Sequence, residues 1–197
     1  MSKYLSGGQL AGGNSATQRQ KDDYYATSPE TTRLFLDKFL KDGGSFGYDI
    51  WECACGEGHI ATVLREYFPK NNIISTDLIY RGFGTGGVDF LTLERKVDTV
   101  ITNPPFSLMN EFIEQGLEKS KKNLILFGKI QTLEGVERVS ILKNSPLKYV
   151  YVYAKRQATW KNGQPVDNNG KKWATTMCTA WFVWEKTYKG EPILRWI

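Results

Sequence analysis

The sequence predicts an α/β fold: a mostly parallel, seven-stranded sheet with helices on both faces and an antiparallel hairpin at its C-terminal end. Three observations lead there. Short runs rich in β-branched and aromatic residues alternate with segments of helical periodicity from Tyr48 to Leu142. That alternation is the pattern of a parallel sheet covered on both sides. A glycine-rich turn, "ECACGEG", joins the first of these runs to the helix after it. The last two strand-like runs, "LKYVYVY" and "WATTMCTAWFVW", have no helix between them and should pair antiparallel.

Taken in order, residues 1–20 are rich in Gly, Ser, Gln and Asn without sustained periodicity, and read as a flexible arm. Residues 21–197 read as one domain. In "SPETTRLFLDKFLKDGG", Ser28 suits an N-cap, Pro29 suits the first helical position, and Gly43-Gly44 stops the helix. Tyr48–Cys53 reads as a strand, His59–Phe68 as a helix, and "NNIISTD" as a strand ending at Asp77. Residues 80–87, with four glycines, read as a loop, and Asp89 is placed after a third short strand. "VDTVITN" is a strand, Met109–Lys119 a helix, "NLILFGK" a strand and Leu133–Leu142 a helix. Residues 154–172 form a polar, basic, turn-rich loop between the last two strands.

Composition excludes several classes. A chain of 197 residues with 41% hydrophobic and 24% charged content is ordinary globular material with enough length for a core. No apolar run reaches membrane-spanning length and Met1–Leu10 lacks a secretory pattern, so a soluble, cytoplasmic protein without a membrane partner is expected. Three cysteines, Cys53, Cys55 and Cys178, make neither a disulfide framework nor, with His59 as the only histidine, a zinc set. No metal is expected, and a single histidine argues against triad-type hydrolysis. Net charge is uneven. Residues 141–197 carry ten Lys/Arg against three acids, a net +7, so the first 140 residues carry −2 of the whole-chain +5. A polyanion would meet the C-terminal third.

The turn places Glu52, Ala54, Gly56 and Gly58 at every second position between a strand and a helix. Glycines there let backbone approach a ligand with no Cβ in the way, and the helix offers its positive end. About 20 residues on, Asp77 ends the next strand, where an acid accepts from ribose hydroxyls. Asp89 is a second acid able to accept from an adenine amino group. Ala61 stands where the third glycine of a dinucleotide fingerprint belongs, which argues against an oxidoreductase.

A second constellation ends the strand "VDTVIT" at Asn103-Pro104-Pro105-Phe106. Two prolines can continue neither a strand interior nor a helix, so this corner is rigid. The Asn103 side-chain carbonyl and the Pro104 backbone carbonyl can accept both hydrogens of one amino group. Phe106 offers a face for a planar base, a contact worth about 1–3 kcal/mol. Paired acceptors favour pyramidal nitrogen as it attacks, so no strong general base is needed.

With these residues in hand, the chain resembles S-adenosylmethionine-dependent methyltransferases of the amino-methylating group, closest to DNA N6-adenine methyltransferases. The resemblance rests on "YYATSPE", "ECACGEG", "STD", "VDFL" and "NPPF", in that order over about residues 24–106. The C-terminal "AWFVWEKTYKGEPILRWI" is similar to the ends of small phage or prophage-type enzymes. The resemblance implies a Rossmann-like class I methyltransferase fold. It implies S-adenosylmethionine held by Glu52, Ala54, Gly56 and Gly58, with Asp77 and Leu78 at the ribose and Asp89 and Phe90 at the adenine. Tyr24, Thr27 and Ser28 would lie near its methionine end, and Asn103 would also contact the cofactor. Asn103, Pro104, Pro105 and Phe106 would hold the target base. Ala54 departs from the glycine usual at the start of the loop.

N-P-P-F is shared by enzymes acting on DNA, on RNA bases and on protein glutamine, and a non-catalytic binding module is a further alternative. The loop "AKRQATWKNGQPVDNNGKKW" favours DNA. Lys155, Arg156, Lys161, Lys171 and Lys172 face one acid, Asp167, with Trp160 and Trp173 interleaved. That mixture suits phosphate tracking and base stacking. No separate sequence-reading domain is legible, which predicts short or relaxed specificity and indicates no restriction partner.

Overall fold

Residues alternate sides along a strand, so a strand buried on both faces must be apolar throughout. The central strand β5 (Ser120–Lys129) shows this: Leu124 and Leu126 enter one apolar cluster, and Ile125 and Phe127 the other. We describe a computed structural model covering residues 24–157, 159–161, 163–166, 169–171 and 177–197. The 1–20 segment, Lys172 and Trp173 lie outside the described residues.

The main sheet has seven strands. These are β2 (Asp49–Glu52), β3 (Asn72–Ser75), β4 (Val97–Thr102), β5, β6 (Leu147–Val152), β8 (Thr179–Glu185) and β9 (Ile193–Trp196). Their order is β3-β2-β4-β5-β8-β6-β9. The first four run parallel, β8 runs antiparallel between β5 and β6, and β9 pairs parallel with β6. The mostly parallel sheet and the antiparallel β6–β8 pair are as the sequence predicts.

Helices α1 (Pro29–Lys41) and α2 (His59–Tyr67) cover one face. Phe35, Leu36 and Phe39 of α1 meet Ile60, Val63 and Leu64 of α2 over Ile101, Ile125 and Trp181. Phe35 stacks on Trp181 with ring centroids 4.6 Å apart. Helices α3 (Met109–Lys119) and α4 (Val136–Lys143) contribute to the other face, where Met109, Phe112, Ile113 and Leu142 pack with Trp51, Val100 and Phe182.

The structure differs from the sequence reading in four places. A two-residue strand, β1 (Tyr25–Ala26), pairs antiparallel with β7 (Trp160–Lys161) from the basic loop, forming a separate ribbon. β9 completes the seven strands, whereas the residues just before Asp89 form only an isolated bridge, Thr76 with Thr85, in place of the expected strand. There Asp89 accepts from the Leu91 amide through its side chain (2.9 Å) and from the Leu93 amide through its carbonyl (3.0 Å), which makes a turn. α4 begins at Val136 rather than Leu133, because Gly135 has φ +101°, outside helical space.

Tyr153 joins α1 to β8. Its hydroxyl donates to the Thr31 carbonyl (2.5 Å) and accepts from the Trp181 indole N–H (2.8 Å), all buried. Tyr153→Phe leaves that indole donor unpaired and is expected to lower stability by about 1–3 kcal/mol. A urea-denaturation midpoint equal to that of the wild type would contradict this.

Candidate active site

Chain order decides where a ligand can sit. From β2 the chain steps outward to β3, then returns to place β4 on the other side of β2. The loops that leave β2 and β4 therefore part in opposite directions and open a crevice at the strands' carboxyl ends. A cavity of about 870 Å³ opens there, lined by Glu52, Ala54, Asp77 and Asn103 among others. That is pocket-sized for a nucleoside with a planar partner.

On the β2–β3 side, the glycine turn is laced to the next loop by Asp77. One carboxylate oxygen accepts from the Gly56 amide (2.8 Å) and the other from the Ile79 amide (2.8 Å). Gly56 has φ +54°, and a Cβ there would stand 2.5 Å from the Tyr24 ring. So Tyr24 can lie on the turn only because residue 56 is glycine. The Tyr24 hydroxyl accepts from the Glu57 amide (3.3 Å), and the Arg81 guanidinium lies 4.3 Å from its ring centroid. Burial pushes the phenol up to about 12.

Glu52 is the electrostatic anomaly. It is fully buried in the cavity wall, and its Oε2 has no hydrogen-bond partner. Desolvation pushes its carboxyl well above the ordinary carboxylate range. The Thr27 hydroxyl, also in the wall, is likewise buried without a partner. Asp89, Phe90 and the exposed Leu78 complete this side. Three predicted positions stand apart from the lining. Gly56 and Gly58 shape the turn behind it, and the Ser28 hydroxyl is spent capping α1 through the Thr31 amide (3.2 Å).

On the β4–β5 side, Asn103, Pro104, Pro105 and Phe106 all line the cavity. The Asn103 Nδ2 donates to the Tyr25 carbonyl (2.7 Å), which orients the amide and leaves Oδ1 as the available acceptor. Pro105 holds φ −54° and ψ 123°, and its carbonyl accepts from the Leu108 amide (2.9 Å) as the chain turns into α3. The rigid corner is thus tied at both ends.

The basic loop is only partly where its charge suggested. Lys155 and Arg156 are exposed just beyond β6, and Lys171 is exposed. The backbone of Lys161 pairs with Tyr25 in the ribbon, while Trp160 packs edge-on against His59, ring centroids 5.3 Å apart, rather than standing free for a base. Other C-terminal lysines sit at the opposite end of the sheet: Lys148 pairs with Glu185 (2.8 Å), and Lys186 donates to the Leu117 carbonyl (2.8 Å). The cavity also contains residues the sequence reading left out, among them Tyr25, His59, Arg81, Lys129 and Met177. Burial lowers the His59 pKa. Of these, Lys129 was open to discovery by the rule that found Asn103, since it ends the neighbouring strand.

A family model described as adenine-specific methyltransferase EcoRI matches residues 85–191, more than half of the chain. The chain belongs to this family. Its model spans Asp89, the Asn103–Phe106 corner and the basic loop, and begins beyond the glycine turn. No curated protein matches the chain. Solved structures share the Rossmann-like methyltransferase fold at low identity. The magnesium protoporphyrin IX methyltransferase of Synechocystis, determined with S-adenosylmethionine, is 14% identical with a TM-score of 0.53 over 79% of this chain and 78% of that one. A presumed RNA methyltransferase of Pyrococcus horikoshii is 14% identical with a TM-score of 0.60, over 83% of this chain and 87% of that one. The modification subunit of a presumed type I restriction enzyme of Vibrio vulnificus is 12% identical with a TM-score of 0.57, over 92% of this chain and 48% of that one. Among the described residues, no helix is long and apolar enough to cross a membrane, and no group of three potential metal ligands occurs.

Because the folded Glu52 carboxyl titrates above its usual value of 4.5, the native state holds a proton that the unfolded chain releases. Stability from this group is full below that value and is lost as pH rises toward the folded pKa. Glu52→Gln is therefore expected to flatten the fall of stability above the carboxylate range, with the variant gaining on the wild type as pH rises. Parallel denaturation curves for both proteins across acid and neutral pH would contradict this.

Proposed function

We propose that this chain transfers a methyl group to the exocyclic N6 amine of adenine in DNA, with short or relaxed sequence specificity. The observation that carries the reading is the anchored Asn103 amide beside a rigid Pro-Pro-Phe corner in the cavity. A pure binding module has no need of two fixed acceptors and a stacking ring.

S-adenosylmethionine is the methyl donor, and it supplies an electrophilic methyl on a sulfonium. The residues present fit it. Glycine at 56 lets Tyr24 lie against the turn at the cavity wall, and Asp77 would present carboxylate lone pairs to ribose hydroxyls. The buried Glu52 oxygen and Thr27 hydroxyl lack partners, which suits the polar methionine end. Leu78 and Phe90, both in the cavity lining, would flank the adenine ring, and Asp89 would accept from its amino group.

The target adenine would stack on Phe106, with Asn103 Oδ1 and the Pro104 carbonyl accepting from its amine. As nitrogen becomes pyramidal its hydrogens grow more acidic, so both acceptors bind the attacking geometry more tightly than the ground state. Duplex adenine must leave the stack to reach this depth, and Lys155, Arg156, Lys161, Lys171 and Lys172 are suited to hold the backbone meanwhile. A family described as adenine-specific supports the choice of base.

Labelled-methyl transfer to DNA, RNA and protein in parallel, followed by mapping of modified bases, tests the reading; label in RNA or protein alone would overturn it. Asn103→Ala is expected to lower kcat by about 100-fold or more while cofactor affinity survives, since one oriented polar group is lost at the reacting atom. Normal turnover by that variant would remove the mechanism. Asp77→Ala is expected to weaken cofactor binding about 10- to 100-fold, the worth of charge-assisted hydrogen bonds. Calorimetric titration showing unchanged affinity would take Asp77 out of the site.

A further inference from the structure

Lys129 ends β5 at the carboxyl edge of the sheet, half-buried in the cavity wall. Its backbone is held on both sides. It pairs with Thr179 of β8, and the next residue, Ile130, donates its amide to the Cys178 carbonyl (2.9 Å). Gly128 beneath it is packed so closely that a Cβ there would stand 2.7 Å from the Met109 terminal methyl. The lysine therefore springs from a fixed point. Its ammonium lies 5.0 Å from the centroid of the Phe106 ring, and among the described residues it has no carboxylate partner.

Strand order gives this cation its meaning. Of the acidic residues in the cavity, Glu52 ends β2, and Asp77 and Asp89 lie in the chain that follows β3, on one side of Asn103. Lys129 stands one strand beyond Asn103 on the other side. So the three acidic residues stand on the cofactor side of Asn103, where Arg81 lies over Tyr24 among them, and Lys129 is a cation on the target side. An ammonium is a compact, strongly hydrated charge on a flexible four-carbon stem, suited to a phosphate rather than to reading the planar edge of a base. It also sits over Phe106, where an incoming base would stack.

We propose that Lys129 binds the phosphate of the target nucleotide, leaving the Phe106 face as the base arrives, and that this contact favours a nucleic-acid substrate over a protein amide. The proposal rests on the functional reading above. A glutamine side chain brings no phosphate, so it displaces the ammonium without giving it a partner.

The test compares Lys129→Met and Lys129→Arg with the wild type in the full chain, using steady-state methylation of a duplex oligonucleotide at several salt concentrations and a separate cofactor titration. Lys129→Met is expected to raise KM for DNA about tenfold with kcat within about threefold, and to lower the salt slope of log KM by about one phosphate contact. Cofactor affinity should stay unchanged, and Lys129→Arg should restore most of the KM. Should Lys129→Met fail to fold, Lys129→Gln gives the same comparison without charge. Unaltered KM and salt slope overturn the proposal. A fall in kcat at constant KM, which assigns Lys129 to the base, overturns it too, as does a loss of cofactor affinity. A wild-type chain that methylates no DNA overturns the functional reading and this proposal together, whereas normal wild-type methylation with an indifferent Lys129→Met overturns this proposal alone.

Discussion

One hydrogen bond, from the Asn103 amide nitrogen to the Tyr25 carbonyl, ties the end of β4 to the short ribbon beside it. Asn103 ends the strand beside the switch point, and Tyr25 lies in the short ribbon that brings the start of α1 and the basic loop over the same edge. An asparagine side chain has one acceptor and two donors, and which of them faces a ligand is settled by what the other end holds. Here a backbone carbonyl takes the donor end. The acceptor that the chemistry needs is thereby selected by main chain, which has no rotamer to change.

Behind this bond stands the burial of the sheet on both faces. Trp51, Trp181, Trp184, Phe127 and Phe182 are fully buried, so polar side chains of these strands find room only at their ends. Thr99 and Asn123 are exceptions, and they are satisfied locally. Thr99 donates to the Phe46 carbonyl, and Asn123 donates to the Ser45 carbonyl (2.6 Å). The parallel strands then deliver Glu52, Asn103 and Lys129 to one edge in spatial order. Strand order thus sets Lys129 on the far side of Asn103 from Glu52, Asp77 and Asp89.

The elements read most accurately from sequence were those whose signals are local. Met109–Lys119 has helical periodicity, and α1 carries its own N-cap, proline and glycine stop, so both were legible almost to the residue. β1 and β7 were not. Each has two residues, and neither has periodicity of its own; each is a strand only because the other is beside it. β9 reads as an ordinary tail, since half of its residues face solvent and its pairing partner lies more than 40 positions away. The short strand expected before Asp89 failed for the opposite reason. The residues before Asp89 are glycine-rich, and its side chain holds the Leu91 amide in a turn.

For the proposed site, residue types and spacings alone pointed to the groups at the two strand ends. In that reading, backbone approach, ribose hydroxyls and a planar amine call for glycines at 56 and 58, an acid at Asp77 and a rigid Asn-Pro-Pro-Phe corner, and such demands are written in residue identity. Tertiary structure alone decided which atoms remain free to act. It spent Trp160 on His59, turned the Asn103 acceptor loose by engaging its donor, left Glu52 Oε2 without a partner, and set Lys129 against Phe106. Whether a polar group is engaged depends on neighbours far away in the chain, and pairings at that distance leave no local mark in sequence.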